Sequence, residues 1–153
     1  MTSLGHLAGR RCIVACSAEK TFTTHPVPAL DLYQGGAVPP LRARLGGQPA
    51  LRSRVRILSA EHGLIGADEL LLPYDRPLDA DRAVQLRPLV REQLAAEESG
   101  APVTEWLVIA EPLYLVLLAD LLAHPARPQL HWVHDHAHGW PQAAAVLDGW
   151  GWP

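Results

Sequence analysis

Apolar and polar positions along this chain alternate between two periods. RCIVACS (11–17), RVRILSA (54–60), EWLVIAE (105–111) and QLHWVHD (129–135) are short apolar runs with the length and β-branching of buried strands. Between them the spacing lengthens to that of a helix. From Asp79 to Glu98, Ala83, Leu86, Leu89, Val90 and Leu94 recur at the helical period, with Asp79 placed as the cap. Pro88 inside this run predicts a kink or a break, because its ring removes an amide donor and crowds the turn before it. PLYLVLLADLLAH (112–124) and WPQAAAVLDGW (140–150) each carry a proline in the first turn, where a missing N–H costs nothing, so both predict helices. The Gly- and Pro-rich stretch 37–49 predicts loop, with at most a short helix over 41–45.

Strands separated by helices predict one α/β domain over 1–153: a mainly parallel sheet of about four to five strands with helices on both faces. Such sheets bind ligands outside the carboxyl ends of their strands. Those ends carry Cys16, Ser17 and Lys20 after the first strand, and Ser59, Glu61 and His62 after the second. Glu111 and Tyr114 follow the third, and His134, Asp135 and His136 the fourth. Acid, base and amine groups gathered at successive strand ends point to a catalytic site.

Composition narrows the ligand. A chain of 153 residues with 48% hydrophobic content can bury one proper core. A net charge of -3 gives no overall basic character of the kind that displaces counterions from a duplex, so duplex nucleic acid is not an expected partner and a small molecule is. Arg42, Arg44, Arg52, Arg54 and Arg56 flank the second strand and read as a solvated surface. Cys12 and Cys16 have neither the redox nor the zinc-knuckle spacing and read as buried free thiols. The first twenty residues lack a long apolar core after a basic start, and no run reaches the length of a membrane span, which reads as a cytoplasmic chain with no membrane partner.

Of the 13 basic Lys and Arg side chains, Lys20 is the only lysine. A compact amine that can lose its proton is not freely exchanged for a guanidinium, so Lys20 is a candidate for nucleophile, proton carrier or point charge. Other candidates have structural readings beside the functional one. Ser59 can cap the chain leaving its strand, and Gly63 can supply a positive φ. Tyr33 and Tyr74 can simply bury their rings, and Pro73-Tyr74-Asp75 can be only a turn. Of the run His131, His134, His136 and His138, alternation would put His134, His136 and His138 on one strand face as a metal site needs, but Gly139 and Pro141 end that strand, so no metal and no cofactor is assigned. Trp140, Trp150 and Trp152 read as a seal on the core.

Four runs carry a family resemblance: CSAEK (16–20), PALDLYQG (28–35), ILSAEHGLI (57–65) and LPYDRPL (72–78). Together they resemble a family of small bacterial proteins of unassigned function with the pattern C-x-x-x-K, A-x-x-L-Y, L-S-A-x-[YH]-G-L and P-Y-D, over residues 12–78. More distantly the chain is similar to the YaaA-type peroxide-stress proteins and to the catalytic domain of archaeosine synthase, where a cysteine and a lysine four residues later introduce a motif for 7-deazaguanine chemistry. Cys16 and Lys20 keep that interval, while Thr21, Phe22 and His25 depart from the synthase motif.

The wider resemblance implies a pocket for a nucleobase, nucleoside or nucleotide in a fold similar to enzymes that act on glycosidic bonds or bases. Cleaving an N-glycosidic bond needs a carboxylate, for which Glu61 or Glu111 is available, and an acid for the leaving base, for which His62 is. Tyr33, Tyr74 or Trp132 can wall a planar base. With Lys20, Glu61, His62 and Glu111 as catalytic candidates, Cys16, Ser17, Tyr33, Ser59, Tyr74, Asp75 and Tyr114 complete the expected substrate contacts. The expected function is an N-glycosidic hydrolase or base-modifying transferase. The alternative is a non-catalytic nucleotide-binding or DNA-associated stress-response protein.

Overall fold

The computed structural model describes residues 7–100 and 102–153, and within them the expected strands line up in one sheet with a further strand at its edge. β1 (Arg10–Ala15) is followed by a short β2 (Val27–Pro28), the helices α1 (Ala29–Leu32), α2 (Val38–Leu45) and α3 (Pro49–Arg52), and β3 (Val55–Ser59). A tight turn reverses the chain into β4 (Gly63–Gly66), and β5 (Leu70–Leu71), the long α4 (Ala80–Glu98) and β6 (Glu105–Ile109) come next. α5 (Pro112–Leu115), a 3-10 turn over Val116–Leu118, α6 (Ala119–Leu122), β7 (Gln129–Val133) and α7 (Trp140–Gly149) complete the order. The main sheet runs β4-β3-β1-β6-β7, parallel throughout except where β4 pairs antiparallel with β3. A second, two-stranded pairing joins β2 to β5. This is an α/β domain.

Alternation along β1 builds a core on each face of the sheet. Cys12 and Val14 point to one side with Ile57, Leu107 and Ile109, where α1, α2 and α7 cover them with Leu30, Leu41 and Leu147. Ile13 and Ala15 point to the other with Leu58, Trp106 and Val108, under Leu86, Val90 and Leu94 of α4. Trp150 and Trp152 close the first core at the carboxyl end of the chain, their rings 5.0 Å apart. Truncating one of these fully buried leucines to alanine costs about 2–5 kcal/mol in cores of this kind.

Local rules give way to packing in three places. α4 runs through Pro88 without interruption, because Pro88 and Val84, whose carbonyl loses its donor, both face solvent while Ala83, Leu86, Val90 and Leu94 hold the helix to the sheet. Within 37–49 the longer helix α2 forms over Val38–Leu45 with two prolines in its first turn, and Pro49 opens α3. The helix expected over 112–124 is instead split by the 3-10 turn. Among the described residues no helix is long and apolar enough to cross a membrane.

The arginines expected on a solvated surface are half-buried clamps. Arg42 donates to the Leu30 and Tyr33 carbonyls, each at 3.0 Å. Arg44 holds the end of the chain through the Trp152 and Pro153 carbonyls and Asp148. Arg52 bonds Asp68 at 2.8 Å, Arg54 the Leu7 carbonyl at 3.0 Å, and Arg56 the Glu97 carboxylate at 2.5 Å. Helices and loops that end beside a guanidinium leave it carbonyls to satisfy, which composition alone does not show.

Candidate active site at the strand ends

The sheet order fixes where a crevice opens. From β1 the chain moves to β3 on one side, then crosses back to β6 on the other, so the connections leaving β1 and β6 diverge and their carboxyl ends flank a gap. A cleft of about 430 Å³ lies there. Cys16, Ser17, Glu19 and Lys20 line it from the end of β1; Glu111, Leu113 and Tyr114 from the end of β6; His136 and Ala137 from beyond β7. Asp75, Arg76, Pro77 and Leu78, leading toward α4, supply the remaining wall with Gly36. The Cys16 Sγ and the Tyr114 hydroxyl bridge the gap at 3.3 Å.

Lys20 is held by its neighbours rather than by a carboxylate. Its backbone forms an isolated bridge with Tyr33, and its Nζ sits 4.5 Å from the centroid of the Tyr74 ring and 5.7 Å from that of Tyr33. Facing aromatic π-clouds keeps the ammonium in place without neutralising it. Among the described residues its one hydrogen bond is to the Ala18 carbonyl at 3.4 Å.

Below that ammonium runs a chain of hydroxyls. Ser59 Oγ accepts the amides of Glu61 at 3.1 Å and His62 at 3.0 Å, the capping role its position allowed. With both lone pairs taken, its own hydrogen goes to Tyr74 at 2.6 Å, and the Tyr74 and Tyr33 hydroxyls share a hydrogen bond at 2.5 Å. Burial pushes the Tyr33 phenol up to about 12. Burial also raises Tyr74 and Tyr114, with the neighbouring Cys16 sulfur adding to both, so all three tyrosines stay neutral donors at physiological pH.

Glu61 and His62 are set back from the cleft. The turn between β3 and β4 carries them, with Gly63 at φ 76° completing the reversal and Arg82 bonding the Ala60 and Glu61 carbonyls at 2.9 and 3.0 Å. Residues 74–76 then lie between this turn and the cleft: the His62 ring meets Tyr74 edge-on at 5.2 Å, and the Glu61 carboxylate stands 3.7 Å from Arg76. Of the sequence candidates, Cys16, Ser17, Lys20, Asp75, Glu111 and Tyr114 line the cleft. Tyr33, Ser59 and Tyr74 form the layer beneath Lys20, and Glu61 and His62 stand behind it.

The cleft also holds groups that sequence reasoning passed over. Glu19 sits inside CSAEK beside the lysine that drew the attention, and Arg76 is two residues past Tyr74. The four histidines go to separate places: His131 to Glu105 at 3.0 Å, His134 against Trp132, His138 to Asp135, and His136 into the cleft wall. Among the described residues no three His, Cys, Asp or Glu side chains converge to hold a metal. Trp132 lies on the edge strand, donating to the Ala110 carbonyl at 2.8 Å, and takes no part in the cleft.

His136 is buried, with Nε2 2.7 Å from the Ala15 carbonyl. Burial lowers its pKa, outweighing the carbonyl contact and the carboxylates of Glu111, Glu19 and Asp135, which raise it. Glu111 takes the N-cap position of α5 without using its carboxylate as a cap, and neither it nor Glu19 or Asp75 makes a side-chain ion pair among the described residues.

No curated protein matches this chain, and no solved structure does. One family model matches residues 12–133, from β1 to the last residue of β7, and takes in every residue lining the cleft except His136 and Ala137. The chain therefore belongs to that family, a family of unknown function designated DUF6884.

Proposed function

We propose that this chain is an enzyme that binds a nucleobase, nucleoside or nucleotide in the cleft and acts on its N-glycosidic bond or its base, as a hydrolase or a base-modifying transferase. The observation that carries the reading is the make-up of one cleft at the switch point. Tyr114, Leu113, Pro77 and Leu78 offer an aromatic and apolar wall, while Lys20, Arg76, Glu19, Glu111 and Asp75 supply charges of both signs. A planar, partly polar ligand uses both, and the volume is in the range that holds a small molecule. The C-x-x-x-K resemblance to archaeosine synthase and the YaaA-type proteins favours the same ligand class.

The roles follow position. Glu111 is the carboxylate that supports positive charge at an anomeric carbon or activates water, since Glu61 stands behind Arg76 and serves to position it. Lys20 is the fixed positive charge, and Tyr114 with its apolar neighbours is the wall for a base. Duplex nucleic acid is disfavoured because the arginines that would meet it are engaged inside the fold.

The test is incubation with a panel of nucleosides and nucleotides followed by mass analysis. A released base or a base of altered mass is expected, lost in Glu111→Gln. Tight binding with no product would instead make the chain a non-catalytic nucleotide-binding protein, and binding of duplex alone would overturn the ligand class.

A further inference from the structure

We propose that His136 is a proton-accepting residue of the cleft, acting through its Nδ1. A carbonyl oxygen has no proton to give, so the 2.7 Å contact with Ala15 requires the hydrogen on Nε2. The neutral ring then carries its lone pair on Nδ1. That nitrogen has no hydrogen-bond partner among the described residues, yet it is not one of the sealed polar atoms left unsatisfied in the interior. The His136 ring is part of the cleft lining, and Gly36, which its Nδ1 edge faces, lines the cleft too.

Gly36 is what makes room for the Nδ1 edge of the ring. A β-carbon there would overlap Nδ1 and Cε1 of His136, and the residue sits at φ 61°, where a side chain is strained in any case. The charged groups around the ring are Glu19 beyond β1, Glu111 beyond β6 and Asp135 beside it, and burial keeps the ring neutral against all of them. A neutral imidazole with a fixed tautomer, its donor side anchored on backbone, is ready to accept a proton at pH 7.

On a nucleoside, which rests on the reading above, Nδ1 takes a proton from a water whose oxygen bonds to the anomeric carbon. The bond from that carbon to the base breaks, its electron pair leaves with the base, and the base, its developing charge met by the fixed Lys20 ammonium, takes up a proton from a second water. The protonated ring then gives its proton to the hydroxide left in solvent and returns to its starting state.

Diethyl pyrocarbonate tests the base without any substrate. An unprotonated, accessible imidazole nitrogen attacks its carbonyl, forming an N–C bond and expelling ethyl carbonate, which decomposes to carbon dioxide and ethanol. Peptide mass mapping of the parent should show His136 modified at pH 7 alongside the exposed His138. Gly36→Ala should slow reaction at His136 at least tenfold while leaving His138 unchanged. Nitrogen-15 NMR of labelled protein gives a second readout that needs no variant: Nδ1 of His136 should show the shift of an unprotonated nitrogen, and Nε2 that of a protonated one. An unreactive His136 beside a modified His138, or a proton on Nδ1, would overturn the proposal. Reaction at His136 that adenosine 5′-monophosphate does not slow would uphold the base and count against the nucleotide reading instead.

Discussion

The two ends of the sheet are both rich in charge and use it in opposite ways. At the amino ends of the strands the Glu97 carboxylate takes both Arg11 and Arg56, its side chain only 13% exposed. Glu105 accepts from Arg10, His131 and Trp150, which hold its carboxyl below the ordinary range, His131 contributing most. Nearly every charge there is consumed by another protein group. At the carboxyl ends, Glu19, Asp75 and Glu111 have no ion-pair partner among the described residues, Lys20 rests on aromatic rings, and one nitrogen of His136 is left open. Charges matched internally hold a fold together, whereas charges held in place but unmatched await a ligand.

The contrast can be broken most forcefully at the amino end. Glu97→Ala leaves two half-buried guanidiniums facing each other and should cost about 3 kcal/mol in urea unfolding, with ligand response in the cleft retained. Glu111→Gln should do the reverse: about a hundredfold loss of turnover, about 2.7 kcal/mol in barrier, with stability changed by less than about 0.5 kcal/mol. Lys20→Arg conserves charge but replaces a compact amine packed on two rings, and should cost at least about tenfold in activity or affinity, roughly 1.4 kcal/mol, with the unliganded melting temperature unchanged. Glu61→Gln loosens Arg76 through an exposed pair and should weaken binding of a phosphorylated ligand about threefold, less than about 1 kcal/mol.

The smallest effect sharpens the comparison through pH. Burial depresses the His136 pKa in the folded state, so below about 6.5 the unfolded chain binds a proton that the folded chain refuses. The contribution of His136 to stability is complete above that value and declines as pH falls through the window below it. His136→Gln, which can still donate to Ala15, should flatten that slope in a series of denaturant titrations.

The layout of the sheet was legible because strand length and branching depend on local residues, and the first and third strand ends delivered Cys16, Lys20, Glu111 and Tyr114 to one cleft. The second strand end misled. Ser59 to Gly63 form a reversing turn, and although Gly63 was readable as a positive-φ residue, the hairpin that carries Glu61 and His62 out of the cleft depends on β4 pairing with β3. Pro88 and the arginines went the same way: which carbonyl is left without a donor is a tertiary fact. His136 was legible as a residue at the end of the fourth strand, but its return onto Ala15 was not, since the loop after Val133 that makes it has no periodic signal.

The central claim is that the unmatched charges at the carboxyl ends await a nucleoside or nucleotide. Thermal denaturation of the parent chain with a panel of nucleobases, nucleosides, nucleotides and a short duplex tests it most directly. A monomer at about 100 times its dissociation constant should add roughly 2.7 kcal/mol to stability and raise the melting temperature, an increase that Lys20→Arg diminishes and duplex does not reproduce. A melting temperature unmoved by every monomer at millimolar concentration, or raised by duplex alone in a salt-dependent way, would contradict it.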